Sequence, residues 1–206
     1  MTRVKICGIT SAEDAVAAVD AGADALGFIF VPGTPRYVTP EAAASVMERV
    51  PPLVATVGVF VDHPLDELLR IAGALRLHAV QLHGDESAEY AGRMPVPVIR
   101  ALRVQNAASL QAMDTYPAHA FLLDAYVEGR PGGTGMPIPW DLALGAKGRK
   151  PIILSGGLRP DTVGEAVRLV RPYGVDVSSG VEQSPGRKDH RKVREFIVNV
   201  HRADLG

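Results

Sequence analysis

The chain has 206 residues, which is long enough to bury one sizeable core, and we expect a single domain over residues 1–206. Its 47% hydrophobic and 22% charged residues are typical of a folded globular protein and exclude a disordered one. The net charge of −1 gives no electrostatic reason to expect nucleic acid or a membrane surface as a partner. No apolar run approaches the roughly 18 residues of a membrane-spanning helix.

Short apolar runs alternate with helical patterns along the whole chain. We predict eight strands, near residues 4–6, 25–30, 54–61, 79–82, 96–102, 121–123, 152–154 and 175–177. These runs are continuously apolar, which is typical of parallel strands that are covered on both faces. The segment between residues 129 and 139 is rich in glycine and proline, and we expect a mobile loop there, not a domain boundary.

Helix signals fall between the strands. A capping box at residues 10–13 opens the first helix, which we expect to bury Ala15, Val16 and Val19 and to end at Gly22. Thr39 followed by Pro40 is a helix start. Apolar residues at helical spacing predict further helices on Leu65, Leu68, Leu69 and Ala72, on Val163, Ala166, Val167 and Val170, and on Val193, Phe196, Ile197 and Val200, with a short weak helix at 86–92.

Eight strands, most of them followed by a helix, predict an α/β protein built as a single-domain (β/α)8 TIM barrel. An open doubly wound sheet is the second choice, because no G-x-G-x-x-G sequence follows the first strand. In a (β/α)8 barrel the active site lies at the carboxyl ends of the strands. Polar or glycine residues follow all eight predicted strands: Cys7, Arg36, Asp62, His83, Arg103, Asp124, Ser155-Gly156-Gly157 and Ser178-Ser179-Gly180.

Two glycine-containing loops follow the seventh and eighth strands. Gly156 and Gly157 lie in the first of these loops, and Ser179 and Gly180 in the second. Glycines let backbone N–H groups approach an anion closely, and in barrels this pair of loops commonly holds a phosphate. The alternative is a pair of tight turns without a ligand.

Cys7 is the only cysteine, so it cannot form an internal disulfide or a site with several thiolates. It is either a buried, inert thiol or a reactive one. Its place between a strand and a helix start favours the reactive reading, since a helix N-terminus lowers the pKa of a nearby thiol. A lone thiol and the lack of a signal-peptide core lead us to expect a reducing cytoplasm.

Three further polar residues each allow two readings. Asp124 is either a loop cap or a catalytic acid, and His83 could simply organise loops. Arg36 is either a surface charge or, in a loop stiffened by two prolines, a guanidinium placed to grip a carboxylate. The six histidines show no ligand-like spacing, and no G-x-S-x-G sequence is present.

The ordered motifs of the chain resemble those of the phosphoribosylanthranilate isomerase family of tryptophan biosynthesis. The resemblance covers essentially the whole chain and rests on VKICGIT (4–10), GADALGF (22–28), RYV (36–38), VGVFV (57–61), VQLHG (80–84), LLD (122–124), GGTG (132–135), LSGGL (154–158) and VDVSSGVE (175–182). It implies an Amadori rearrangement of a small phosphoribosyl substrate to 1-(o-carboxyphenylamino)-1-deoxyribulose 5-phosphate, without a cofactor or metal.

The resemblance also implies roles for individual residues. Cys7 would be the general base, Asp124 the general acid and Arg36 the group that holds the anthranilate carboxylate. The loops with Gly156, Gly157, Ser179 and Gly180 would bind the phosphate. His83 and Asp176 are expected at the substrate without an assigned role. The oligomeric state is open between a monomer and a homodimer.

Two other functions compete with this one. A different phosphosugar isomerase or epimerase could use the same barrel, because a fold does not fix a function. Such an enzyme would have no use for Arg36 if its substrate lacked a carboxylate. A phosphosugar-binding module without catalysis is the other alternative, and the presence of both Cys7 and Asp124 argues against it.

Overall fold

The computed structural model describes residues 1–125 and 140–206 and contains a closed barrel of eight parallel strands. The predicted (β/α)8 barrel is confirmed. Its strands are β1 (Arg3–Cys7), β2 (Ala25–Ile29), β3 (Ala55–Phe60), β4 (Ala79–Leu82), β5 (Val98–Val104), β6 (Ala120–Ala125), β7 (Ile152–Leu154) and β8 (Gly174–Val177).

The strands are connected on the outside mainly by helices. These are α1 (Ala12–Asp20), α2 (Pro40–Met47), α3 (Leu65–Ala74), α4 (Ala88–Gly92), α5 (Trp140–Gly145), α6 (Pro160–Val170) and α7 (His190–Leu205). A 3-10 helix (Ala107–Asp114) takes the helical position between β5 and β6. After β8 come a 3-10 turn (Ser179–Val181) and a small hairpin of β9 (Glu182–Ser184) and β10 (Arg187–Lys188). None of the helices described here is long and apolar enough to cross a membrane.

Successive residues of the strands face opposite sides of the barrel wall, as the period of a β-strand requires. On β1, the apolar side chains of Val4 and Ile6 join the large core between strands and helices. Lys5, which lies between them, contacts side chains of β4 and β8 instead and therefore points into the barrel. The interior of the barrel thus carries polar groups that the helices do not cover.

The first helix differs from the prediction at both ends. Ser11 and not Thr10 is its N-cap, because the Ser11 hydroxyl accepts from the Asp14 N–H while the Thr10 hydroxyl donates to the Gly186 carbonyl. The helix ends at Asp20, two residues before Gly22. Val16 is 41% exposed, so its predicted burial is wrong. The helical period places Asp14, Ala15 and Ala18 on the buried face instead.

The other helix signals are confirmed, except that the short helix predicted at 86–92 begins at Ala88, because the Ser87 side chain caps it. Thr39 caps α2 with its side chain, and the apolar residues predicted for α6 and α7 are buried.

Strands β5 and β6 end two residues later than predicted, because their backbones stay paired up to Val104 and Ala125. Arg103 and Asp124 are therefore inside strands rather than after them. The predicted loop at 129–139 lies outside the described residues.

Candidate active site

A cavity of about 360 Å³ opens at the carboxyl ends of the strands. All nine residues that the sequence predicts for the site line this cavity: Cys7, Arg36, His83, Asp124, Gly156, Gly157, Asp176, Ser179 and Gly180. Arg103 and Ser155 line it as well. Asp62 does not, because its carboxylate accepts from the Asp85 N–H at 2.6 Å and links the loops after β3 and β4.

Cys7 is the last residue of β1 and is only 5% exposed. It lies beside Gly27 of β2 in the parallel register. A Cβ atom on Gly27 would come within 2.7 Å of the Cys7 sulfur, so only glycine leaves room for the thiol. The motif GADALGF contains this glycine, yet its role becomes visible only through the pairing of the strands.

Gly8 places Arg36 next to the thiol. Its φ of +74° is a conformation that glycine adopts readily, and a Cβ atom there would lie 2.7 Å from Cδ of Arg36. The Arg36 side chain therefore packs directly over Gly8. The turn that follows Cys7 thus brings a guanidinium from the loop after β2 to the mouth of the barrel.

The pKa of Cys7 shifts in the opposite direction from the one expected. Burial raises the pKa of the Cys7 thiol above its usual value of 9.0, although the charges of Lys5 and Lys188 oppose this shift. The expected lowering by a helix start is wrong for a structural reason. Helix α1 begins only at Ala12, and the N–H groups of Gly8 and Ile9 both donate to the Gly27 carbonyl.

Lys5 is a buried ammonium group that the sequence analysis overlooks. Its Nζ donates to Oδ1 of Asp176 at 2.7 Å and to Oε1 of Gln81 at 3.0 Å. Burial works against a charged lysine, but the Asp176 carboxylate and, when it is ionised, the Cys7 sulfur favour the ammonium, and the pKa of Lys5 is raised. Lys5 therefore stays charged beside the thiol.

Asp176 joins the interior of the barrel to the first glycine loop. One carboxylate oxygen accepts from Lys5, and the other accepts from the Ser155 hydroxyl at 3.2 Å. The loop after β7 is thereby fixed to β8. Asp176 does line the cavity, but both of its oxygens already accept hydrogen bonds from the protein.

His83 and Asp124 lie next to each other in the lining of the cavity. His83 Nε2 lies 3.5 Å from Oδ2 of Asp124, whose side chain is buried in β6. The other ring nitrogen, Nδ1, lies 3.2 Å from the amide nitrogen of Gln81. The N–H of His83 donates to the Phe60 carbonyl, which fixes the residue at the end of β4.

Arg36 forms a bidentate ion pair with Glu182, at 2.8 Å from Nε and 2.7 Å from Nη2. Lys188, which is fully buried, also donates to Glu182 at 3.0 Å. Burial alone would raise the pKa of Glu182, but the bonds from Arg36 and Lys188 lower it overall. Sequence reasoning missed Glu182 and Lys188, since only the hairpin after β8 brings them to Arg36.

The two glycine loops pack directly on each other. Gly156 and Gly157 have φ values of 77° and 63°, in the left-handed region. A Cβ atom on Gly180 would collide with the Leu158 carbonyl oxygen, so glycine is needed for this approach of the two backbones. The Ser178 hydroxyl oxygen is buried beside these loops without a hydrogen-bond partner in the parts of the chain that are described.

Comparison with known proteins gives one consistent result. The family model for N-(5'-phosphoribosyl)anthranilate (PRA) isomerase matches residues 4–199. An N-(5'-phosphoribosyl)anthranilate isomerase of Citrifermentans bemidjiense is 53% identical over 205 residues, which is 100% of each chain. The chain belongs to this isomerase family.

Solved structures agree with this assignment. One is a phosphoribosyl anthranilate isomerase in complex with reduced 1-(o-carboxyphenylamino)-1-deoxyribulose 5-phosphate, at TM-score 0.88 and 42% identity, covering 98% of this chain and 99% of that one. Another describes monomers of the dimeric enzyme from Thermotoga maritima, at TM-score 0.88 and 40% identity with the same coverage. The activity is therefore the isomerisation of N-(5'-phosphoribosyl)anthranilate in tryptophan biosynthesis.

The raised pKa of Cys7 predicts slow alkylation at neutral pH. Since only the thiolate reacts, the rate with iodoacetamide should keep rising with pH beyond 9.0 in the folded enzyme. Mass spectrometry of the single adduct measures this rate. The urea-unfolded chain is the control and should reach its plateau at lower pH. A plateau at neutral pH in the folded enzyme would contradict the shift.

Glu182→Gln should lower the free energy of unfolding by about 3 kcal/mol at neutral pH, because it leaves buried Lys188 without its carboxylate. The stabilisation by Glu182 is present above the pKa of an unfolded glutamate, about 4.3, and is lost as the pH falls through the lower folded value. The difference from wild type should therefore shrink in acid.

Urea unfolding at a series of pH values measures this difference. Glu165→Gln on the exposed side of α6 is the matched control and should stay within about 0.5 kcal/mol of wild type. A loss for Glu182→Gln that is no larger than that of the control would contradict the assignment.

Proposed function

We propose that Cys7 is the general base and Asp124 the general acid of this isomerisation. The observation that carries the proposal is that both side chains line one cavity at the carboxyl ends of the strands. They come from β1 and β6, which are separated in the barrel by β7 and β8. A substrate in the cavity would thus have a thiol and a carboxyl group on different sides.

The rearrangement consists of proton transfers that suit these two groups. The carboxyl group of Asp124 gives its proton to the furanose ring oxygen, and the ring opens to a Schiff base. The sulfur of Cys7 then takes the proton from C2, which leaves an enolamine, and this tautomerises to the ketone. Each group ends in the complementary protonation state, so returning one proton from Cys7 to Asp124 through water completes the cycle.

Lys5 supports the thiol as a base. Burial keeps Cys7 mostly protonated, but its sulfur can act as a base only when it is ionised to the thiolate. The Lys5 ammonium favours this thiolate electrostatically, and the paired Asp176 keeps Lys5 charged. The base is thus generated next to a fixed positive charge, not at a helix terminus.

The phosphate of the substrate is bound by the loops that contain Gly156, Gly157, Ser179 and Gly180. Left-handed glycines and the absence of side chains support this proposal, because they let backbone N–H groups come close to an anion. The unpaired Ser178 hydroxyl in these described loops supports it further, since a phosphate oxygen would satisfy it.

Arg36 binds the anthranilate carboxylate through the edge formed by Nη1 and Nη2. The Arg36 guanidinium has five N–H groups, and only its Nε and Nη2 donate to Glu182. Glu182 therefore fixes the plane of the guanidinium and leaves a second bidentate edge for the substrate. His83 lies at the acid end of the same cavity, and Asp176 acts through Lys5 and Ser155.

The enzyme acts in the cytoplasm, as a monomer or a homodimer. A catalytic thiol supports this location, because reducing conditions keep it free. Its partner is a small phosphoribosyl molecule, and neither a nucleic acid nor a membrane takes part. Light scattering on the purified chain distinguishes the two oligomeric states.

Cys7→Ala and Asp124→Asn should each lower kcat by at least about 10²-fold, the usual effect of removing a general acid or base. The loss of fluorescence of the anthranilate substrate measures turnover. Asp20→Asn makes the same chemical change at an exposed position of α1 and should leave kcat unchanged. Near wild-type turnover in a folded Cys7 or Asp124 variant would refute that residue's role.

Arg36→Met should raise KM by about 10- to 100-fold, the loss of binding expected when one charge-assisted hydrogen-bonded pair is removed. The effect on kcat should be smaller. Arg70→Met on α3 is the surface control, and thermal unfolding of both variants checks the fold. If kcat collapses while KM stays the same, Arg36 does not act as the carboxylate clamp.

A further inference from the structure

The side chain of Gln81 connects the surroundings of Cys7 with those of Asp124. Its Oε1 lies 3.0 Å from the ammonium of Lys5, and its Nε2 lies 3.2 Å from Nδ1 of His83. His83 Nε2 in turn lies 3.5 Å from Oδ2 of Asp124. Gln81 is 2% exposed, so these protein groups and not bulk water determine its orientation.

The orientation of the Gln81 amide follows from its partner on β1. An ammonium group can only donate hydrogen bonds, so the amide oxygen must face Lys5. The ion pair with Asp176 holds Lys5 in place and keeps it charged. Turning the amide over would put its NH2 group against the ammonium, so the NH2 group faces His83 instead.

This orientation decides which nitrogen of His83 carries the proton. An NH2 group only donates, so Nδ1 of His83 must accept with its lone pair. The neutral ring then has its proton on Nε2, the nitrogen that lies 3.5 Å from Oδ2 of Asp124. Nε2 is buried and has no hydrogen-bond partner among the residues that the structure describes. In enzymes without substrate, catalytic hydrogen bonds are often long and shorten when substrate binds, and the 3.5 Å distance from Nε2 to the carboxylate fits this pattern.

We propose that Gln81 is a positioning residue, which holds His83 as the neutral Nε2–H tautomer so that this N–H orients the carboxyl group of Asp124. The inference rests on the proposed function, since it gives Asp124 the role of the acid. An imidazolium beside Asp124 would favour the carboxylate anion and so oppose proton donation. The imidazolium also needs a proton on Nδ1, where it would face the NH2 group of Gln81.

Gln81→Glu tests the proposal with a side chain of almost the same shape. A carboxylate still accepts from Lys5 but can only accept at His83, so the proton should move to Nδ1. The 15N NMR spectrum of histidine-labelled enzyme reports the tautomer, and the His83→Gln variant identifies the signal. We expect kcat to fall by about 10- to 100-fold, as for a misplaced catalytic group, with KM changed less than about threefold.

Two further variants keep the test independent of folding. Gln81→Met keeps the volume and removes both hydrogen bonds without adding charge, so His83 should show a mixture of the two tautomers and kcat should again fall. Gln111→Glu, on the exposed 3-10 helix after β5, adds the same charge and should leave the NMR signal of His83 and kcat unchanged.

The outcomes separate this inference from the proposed function. A wild-type His83 with its proton on Nδ1 refutes the role of Gln81, as does a Gln81 variant that changes the tautomer and keeps full kcat. The NMR spectrum is recorded without substrate and does not depend on what Asp124 does. Full turnover in Asp124→Asn would therefore refute the acid assignment while the Nε2–H tautomer remains.

Discussion

The site depends on one buried ion pair, between Lys5 and Asp176. The two residues are partners in the parallel register of β1 and β8, the strands that close the barrel. A buried ion pair stabilises a protein only when its remaining hydrogen-bonding capacity is used, and here Gln81 and Ser155 use it. Three strands, β1, β4 and β8, and the loop after β7 are thereby joined at the cavity.

This arrangement divides the work between two layers of the barrel. The loops above the strands carry the groups that would bind the two anionic ends of the substrate, the phosphate and the carboxylate. The inner layer holds fixed charges and one oriented amide: Lys5 is held by Asp176 and Gln81, which line the cavity. Under the proposed roles, Lys5 would act there on the thiol, and Gln81 on the histidine next to Asp124. Preorganised charges of this kind cost no rearrangement at the moment of reaction.

The sequence predicts the barrel, the rim of the site and Asp176, but not Lys5 and Gln81 of the inner layer. Strand ends are readable because polar residues follow apolar runs, and β4 and β7 have the predicted bounds. The inner layer is present as alternation in the segments VKIC, VQLH and VDVS, where every second residue points inward. The prediction of continuously apolar strands overlooks this alternation. The partners of Lys5 are 76 and 171 residues away, so only the closure of the barrel brings them together.

The contact between Gly27 and the Cys7 sulfur has a consequence for how this enzyme can change over evolution. The two positions share one small volume at the pairing of β1 with β2, so they form a single mutational unit. A larger side chain at position 27 is acceptable only where position 7 has become smaller, and a smaller residue at position 7 has lost the thiol. Epistasis between the two positions therefore confines both, and Gly27 is as constrained as the thiol that it accommodates.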